Sequence, residues 1–134
     1  MAANDALPQS KSLQDELAAA LARRQPLVVM VSLDGCPFCK EARQNYLRPL
    51  IVQEDLQVVQ VDMRSRQPLR DFLGASFTHD EMTRHLRIRI APTVLFFGRG
   101  GVEVAERLVG GYIPDFYGAY LDQRLAQARV AVRA

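Results

Sequence analysis

Apolar residues run along this chain in more than one rhythm. Leu13, Leu17 and Leu21 recur at four-residue spacing, with Ala18, Ala19 and Ala20 between them, which predicts one face of a helix. Ser12 stands before them as an N-cap, with Asp15 three residues on in a capping-box-like arrangement. Gln25-Pro26 closes this helix. The run Leu27-Val28-Val29-Met30-Val31-Ser32-Leu33 is nearly all apolar and rich in β-branched residues, so it predicts a central strand buried on both faces. Asp34-Gly35 is a turn, and the helix after it accepts Pro37 in its first turn. Pro49 is expected to kink or end that helix, with Leu50-Ile51-Val52 beginning another short turn. Gln57–Asp62 reads as the next strand.

Residues 63–77 have no clear period; Pro68 and Gly74 break them, while Phe72 and Phe77 suggest that part of the segment packs down. Thr78 and Glu81 form a second capping-box signal and predict a helix to Leu86. Thr93–Phe97 is a strong strand, Gly98-Arg99-Gly100-Gly101 a tight turn, and Val102–Leu108 its antiparallel partner, ended by Gly110-Gly111. Asp115–Val130 predicts a last amphipathic helix with Phe116, Tyr120, Leu121, Leu125 and Ala128 on one side. Its aromatics are expected in the core with Phe96 and Phe97. The order α-β-α-β-α-β-β-α implies an α/β protein with two parallel crossovers and an antiparallel edge. Residues 1–11 read as a flexible lead-in and residues 12–134 as one domain, without internal repeat.

Composition narrows the class. The 134 residues suit a single core, and 49% hydrophobic with 24% charged is an ordinary globular balance. A formal net charge of +2, spread along the chain, gives no footing for nucleic acid or an anionic membrane. No apolar run approaches the roughly 20 residues that cross a bilayer, so no membrane insertion is expected. The N-terminus lacks the basic and apolar regions of an intact secretory signal, but Ala2 and Ala3 fit the vicinity of a cleavage site. A mature N-terminus carrying an added initiator Met is the expectation.

The chain has two cysteines, three positions apart in Gly35-Cys36-Pro37-Phe38-Cys39-Lys40. A structural framework uses more cysteines and wider loops, and a loop this short removes little unfolded-state entropy. Chemistry is the better reading of the pair than stapling. A metal site is the rival: Cys36, Cys39, His79 and His85 give C-x2-C and H-x5-H, but the gap between the pairs is far longer than in a zinc finger. The two histidines are expected to be solvated or partly buried.

These features resemble the thioredoxin superfamily. Cys36-Pro37-Phe38-Cys39 lies between a buried strand and a helix, Ala91-Pro92-Thr93 precedes the third main strand where that family carries its cis-proline, and Gly110-Gly111 follows the closing strand. The resemblance covers roughly residues 12–130. It implies the thioredoxin fold, a central mixed four-stranded sheet flanked by helices with an N-terminal helix. Two departures stand out. Gly35 replaces the tryptophan of thioredoxin itself, and Met30 stands where thioredoxin has a buried aspartate, with Val58 or Gln60 near the place of its companion lysine. The dipeptide between the cysteines is closer to glutaredoxin and DsbA. The long segment 63–77 resembles bacterial periplasmic thioredoxin-like proteins of the SoxW type.

The resemblance implies dithiol–disulfide exchange without a cofactor other than the Cys36–Cys39 disulfide. Only a thiolate attacks a disulfide, and the unpaired N–H groups and dipole at a helix start stabilise one at Cys36. Cysteines in such motifs titrate at roughly 3.5–7.5, so Cys36 is expected below an ordinary thiol, with Cys39 resolving the mixed disulfide. Ala91, Pro92, Gly35, Pro37 and Phe38 are the expected substrate-facing residues. Lys40 is a candidate electrostatic support for the thiolate, or equally a solvated helix residue. Asp34 is expected to cap the turn. The expected partners are protein disulfides or dithiols, with an upstream redox protein or glutathione, for a monomer in the bacterial periplasm (the cytoplasm being the alternative). Reductase is the expected direction. A disulfide-donating oxidase or isomerase, and a non-enzymatic metal-binding carrier on the same fold, remain as alternatives.

Overall fold

The computed structural model describes residues 6–110 and 114–134. The readings of Ala2, Ala3 and Gly111 fall outside them. Helix α1 (Leu13–Ala22) leads into β1 (Leu27–Ser32), then a helical run of α2 (Pro37–Glu41), a π-helical stretch (Ala42–Leu47) and α3 (Arg48–Glu54). Strand β2 (Gln57–Asp62), the short β3 (Pro68–Arg70) and β4 (Ser76–Thr78), α4 (His79–His85), β5 (Thr93–Gly98), β6 (Val102–Val109) and α5 (Pro114–Arg133) complete the chain. The main sheet has the order β2-β1-β5-β6. β1 and β2 are parallel, while β5 is antiparallel to both β1 and β6.

Side-chain alternation along β1 and β5 divides the interior into two layers. Val28, Met30, Val94 and Phe96 face a cluster that includes Cys39, Ala42 and Leu47 of the long helical run and Leu121, Leu125 and Ala128 of α5. Val29, Val31, Leu95 and Phe97 face the opposite cluster, with Leu13 and Leu17 of α1 and Met82 of α4. Every position of β1 and of β5 is buried, as an interior strand covered on both faces requires.

Six expectations are corrected. The second crossover is not parallel. Asp62 at the end of β2 pairs with Ser32, and Thr93 at the start of β5 pairs with Val31, so the chain re-enters the sheet at the end it left. The intervening residues fold the β3–β4 hairpin, Pro68 opposite Thr78, and a helix of only seven residues, instead of crossing the sheet once.

Pro49 does not end its helix. It occupies the first turn of α3, directly after the π-helical stretch, and the backbone at the joints Ala42, Leu47 and Arg48 stays right-handed helical. A widened turn accommodates the proline ring and its missing N–H without breaking the run. At α1, Asp15 does not complete the capping box. Its N–H donates to the Ser12 hydroxyl at 3.2 Å, but the carboxylate that reaches back is that of Glu16, which accepts from the backbone N–H of Lys11 (2.8 Å) and of Ser12 (3.2 Å). At α4 the box is complete, with Thr78 and Glu81 each accepting from the other's backbone.

The described part of the lead-in is not loose. Gln60 N–H donates to Pro8 C=O at 2.8 Å and Ser10 N–H to Gln60 C=O at 2.9 Å, so residues 8–10 lie along the outer edge of β2. Leu7 and Ser10 are buried. His79 fixes the far end of this strap: its Nδ1 accepts from Asp62 N–H (3.0 Å) and its Nε2 lies 2.9 Å from Ser10 C=O. An amide N–H only donates and a carbonyl only accepts, so these partners select the neutral ring protonated at Nε2. The ring is buried, where a partly buried or solvated one was expected.

On α5 the buried stripe is Tyr117, Leu121, Leu125, Ala128 and Val132, whereas Phe116 and Tyr120 face solvent. The helix begins at Pro114 and the stripe keeps the 3.6-residue period from Leu121 backward to Tyr117, not to Phe116 or Tyr120. Replacing Leu125 by Ala is therefore expected to cost about 2–5 kcal/mol, and replacing Phe116 by Ala no more than about 0.5 kcal/mol. Urea unfolding of the two variants checks this, with both effects read from the midpoint at unchanged slope.

Candidate active site

The end of β1 delivers the chain to a tight turn. Cys36 N–H donates to Leu33 C=O at 3.2 Å, and Gly35 within the turn has φ of 76°, a left-handed conformation that favours glycine. Cys36 is then the N-cap of α2, with Pro37 in the first turn, where a missing N–H removes nothing. The first helical bond runs from Lys40 N–H to Cys36 C=O at 3.2 Å, and Cys39 N–H donates to Cys36 Sγ at 3.2 Å. Cys36 and Cys39 form a disulfide across a Cα–Cα distance of 5.2 Å. The two sulfurs differ in access. Cys36 is partly exposed, whereas Cys39 is 1% exposed and packs with Met30, Ala42 and Leu47.

The loop before β5 comes up against the same cysteine. The Ala91–Pro92 peptide is cis, and Ala91 C=O lies 3.9 Å from Cys36 Sγ. Two bonds tie this loop down: Gly110 N–H to Pro92 C=O at 2.7 Å, and Thr93 Oγ1 to Ile90 C=O at 2.6 Å. Pro92 is buried while Ile90 stands exposed, as does Phe38 in the motif. Sequence reasoning passed over Ile90. Its signal was an apolar residue in the alternating Arg87-Ile88-Arg89-Ile90 run, where Ile88 faces the core and Ile90 the opposite way.

On the β2 side of Cys36 the surface opens into a cavity of about 870 Å³, walled by Cys36, Lys40, Arg43, Gln60, Asp62 and Arg64 among others. The strap contributes Gln9, whose side-chain amide donates to Asp62 Oδ2. Gln60 Nε2 donates to the other oxygen, Oδ1, at 2.7 Å. Its amide oxygen then accepts from Arg43 at 3.0 Å, and the same guanidinium nitrogen lies 3.5 Å from Ser32 Oγ. Gln9, Arg43, Gln60, Asp62 and Arg64 are site-wall residues that sequence reasoning missed, since they come from the strap, the helical run and the end of β2 and converge only in the fold.

Cys36, Cys39, Gly35, Pro37, Phe38, Ala91 and Pro92 thus meet at one end of the sheet, and Lys40 lies on the cavity wall. The histidines do not join them. His79 spends both ring nitrogens on backbone groups, and His85 packs its ring 5.2 Å from that of Phe77. Among the described residues no group of three or more His, Cys, Asp or Glu side chains is placed to hold a metal ion. Among the described residues no helix is long and apolar enough to cross a membrane.

Comparison with known proteins agrees with this geometry. Residues 13–125 match the family model described as a thioredoxin-like domain. Over 106 residues the chain is 31% identical to the thiol:disulfide interchange protein DsbD of Actinobacillus pleuropneumoniae, a match covering 75% of this chain and 16% of that protein. The chain therefore spans about a sixth of the length of this curated relative. Among solved structures, a thioredoxin from Thermus thermophilus superposes with a TM-score of 0.62 at 21% identity, covering 95% of this chain and 91% of that one. Trxlp from Edwardsiella tarda superposes at 0.56 with 26% identity, covering 85% and 95%.

The turn geometry itself is testable. A Cβ built on Gly35 meets no atom within 4 Å, so substitution there acts through the backbone alone. Gly35→Ala is expected to cost about 1–2 kcal/mol from left-handed strain. Urea denaturation of the oxidised protein checks the value.

Proposed function

This chain belongs to the thioredoxin-like domain family, and we propose that it is a thiol–disulfide oxidoreductase that works as a reductase of protein disulfides in the bacterial periplasm. The observation that carries the reading is the position of Cys36: partly exposed, at a helix start, one turn before a buried cysteine and beside the Ala91–Pro92 loop. In the reduced protein the Cys39 N–H that points at Cys36 Sγ supports a thiolate there, together with the dipole of the helical run. Cys36 Sγ attacks a substrate disulfide, forming a mixed disulfide, and the departing substrate sulfur leaves as a thiolate that takes a proton from water. Cys39 gives up its thiol proton to water and its Sγ thiolate then attacks Cys36 Sγ, which releases the second substrate thiolate and closes the Cys36–Cys39 disulfide. Two electrons pass from the dithiol to the substrate.

Gly35, Pro37 and Phe38 form the rim on the motif side and Ala91 the rim on the loop side, held by the buried Pro92 that follows it, with the Ala91 backbone placed to meet an extended substrate strand. Lys40 lies on the cavity wall and contributes positive charge near Cys36 without an ion pair among the described residues. The oxidised enzyme needs re-reduction by a partner protein or by glutathione, and the chain acts as a monomer. Kinship with periplasmic reductases of the SoxW type rests on segment 63–77, here the β3–β4 hairpin and its flanks. The match to DsbD, a thiol:disulfide interchange protein of a bacterium, supports the chemistry.

Insulin disulfide reduction tests the activity: the parent protein turns over, Cys36→Ser abolishes turnover, and Cys39→Ser accumulates a mixed disulfide detectable by mass. Equilibration in glutathione buffers tests the direction. A potential near thioredoxin's, about −270 mV, supports the reductase, while one near DsbA's, about −120 mV, makes the protein a disulfide donor instead.

A further inference from the structure

We propose that the cavity on the β2 side of Cys36, with Lys40, Arg43 and Arg64 on its wall, is a subsite for carboxylate, so that this enzyme prefers disulfide-bonded peptides carrying Asp or Glu beside the reacting cysteine. The inference rests on the exchange reading above and deepens it. Three observations support it. First, the cavity is continuous with the sulfur that forms the mixed disulfide: Cys36 lies on its wall. A peptide joined to Cys36 therefore has its flanking residues at the cavity mouth.

Second, the wall carries cations that the protein itself does not neutralise. Only five of the chain's 17 basic side chains, Arg23, Arg84, Arg107, Arg124 and Arg129, have a carboxylate partner among the described residues, so what sets the wall apart is that three of the unpaired ones converge on it. Lys40, Arg43 and Arg64, all on the cavity wall, have none among the described residues. Two carboxylates share the wall. Asp34 is exposed, and Asp62 already has one oxygen bonded to Gln9 and the other to Gln60.

Third, the innermost of the cations is held in place. Arg43 is only partly exposed, and one of its terminal nitrogens is fixed by Gln60 Oε1 and faces Ser32 Oγ. The amide of Gln60 has no freedom to turn, because its Nε2 is committed to Asp62. The remaining donors of the guanidinium, an N–H fork suited to carboxylate, are bonded to nothing else among the described residues. A carboxylate that docks there meets a charge already ordered, so it loses less rotamer entropy than an ordinary surface pair. The reaction is the one already balanced above; the subsite changes which substrate reaches it.

The test uses the reduced full chain and two disulfide-bonded peptides that differ only in Glu against Gln beside each cysteine. The ratio of second-order rate constants, Glu peptide over Gln peptide, is expected to be about fivefold or more at low salt. It should fall towards one at about 0.5 M salt, where the screening length is only a few ångströms. Arg43→Gln is expected to bring the ratio close to one, and Lys40→Gln with Arg64→Gln, both at exposed positions, to lower it in part. A ratio near one in the parent protein overturns the proposal, as does a parent-like ratio in Arg43→Gln with native circular dichroism. Oxidised glutathione is the third substrate. If it outpaces both peptides and alone loses rate in Arg43→Gln, the subsite belongs to a small thiol and the peptide assignment is wrong. If neither peptide nor insulin is reduced, the exchange reading itself fails.

Discussion

Strand β1 is the constraint from which the rest of the molecule follows. It is buried at all six positions and bonded on both sides, to β2 in parallel and to β5 antiparallel. A strand so placed cannot slip by one residue without moving its whole apolar set to the other layer. Its alternation sends Val28 and Met30 towards α5 and the long helical run, and Leu27, Val29 and Val31 towards α1 and α4. Register then propagates. Once Val31 sits opposite Thr93, the Ala91–Pro92 loop must lie beside the end of β1, and that end is where the chain turns into Cys36. Core packing several residues away thus brings the reactive sulfur and the Ala91–Pro92 loop together, and the local bonds of the turn then hold Cys36 there.

A second, polar layer of organisation rests on the outer edge of β2. The strap at residues 8–10 adds backbone bonds to Gln60, and His79 ties Ser10 to the end of β2 through both ring nitrogens. An unpaired sheet edge is an invitation to foreign strands, and here it is partly covered by the chain's own N-terminal segment. The same arrangement brings Gln9 onto Asp62, and through Gln60 it fixes Arg43. A buried histidine, a short strap and a cavity wall are thus one connected structure.

Much of this was legible beforehand because local signals and tertiary demands agreed. The unbroken run from Leu27, the capping box at Thr78 and the strand from Thr93 each carry their structure within a few residues. Cys36 and Cys39 could be placed at a strand–helix junction for the same reason. What escaped depended on distant partners. Nothing local to His79 announces that Ser10 and Asp62 will flank its ring, and nothing near Gln9 announces β2. On α5, Phe116 and Tyr117 are adjacent aromatics, and only the angle at which the helix meets the sheet decides which is buried. The direction of β5 escaped because a helix between two strands suggests one crossing, and a hairpin plus a seven-residue helix does not make one. Segment 63–77 escaped because its strands are three residues long, too short for a period to register.

The π-helical stretch Ala42–Leu47 changes how the length of this helix should be thought of. Cys39 before it, and Ala42 and Leu47 at its two ends, all face one core cluster, although five positions separate Ala42 from Leu47. An ordinary α-helix returns to the same face after three or four, each residue turning it by about 100°. The stretch therefore stores one residue more than the span requires. A kindred chain lacking that residue would wind as plain α-helix between the same two ends, its cysteines and its Leu50 still turned to the same core. The side chains displaced would be those within the stretch itself, among them Arg43. Length variation at this one place is a route by which the wall of the cavity can be rewritten while the disulfide stays where β1 put it.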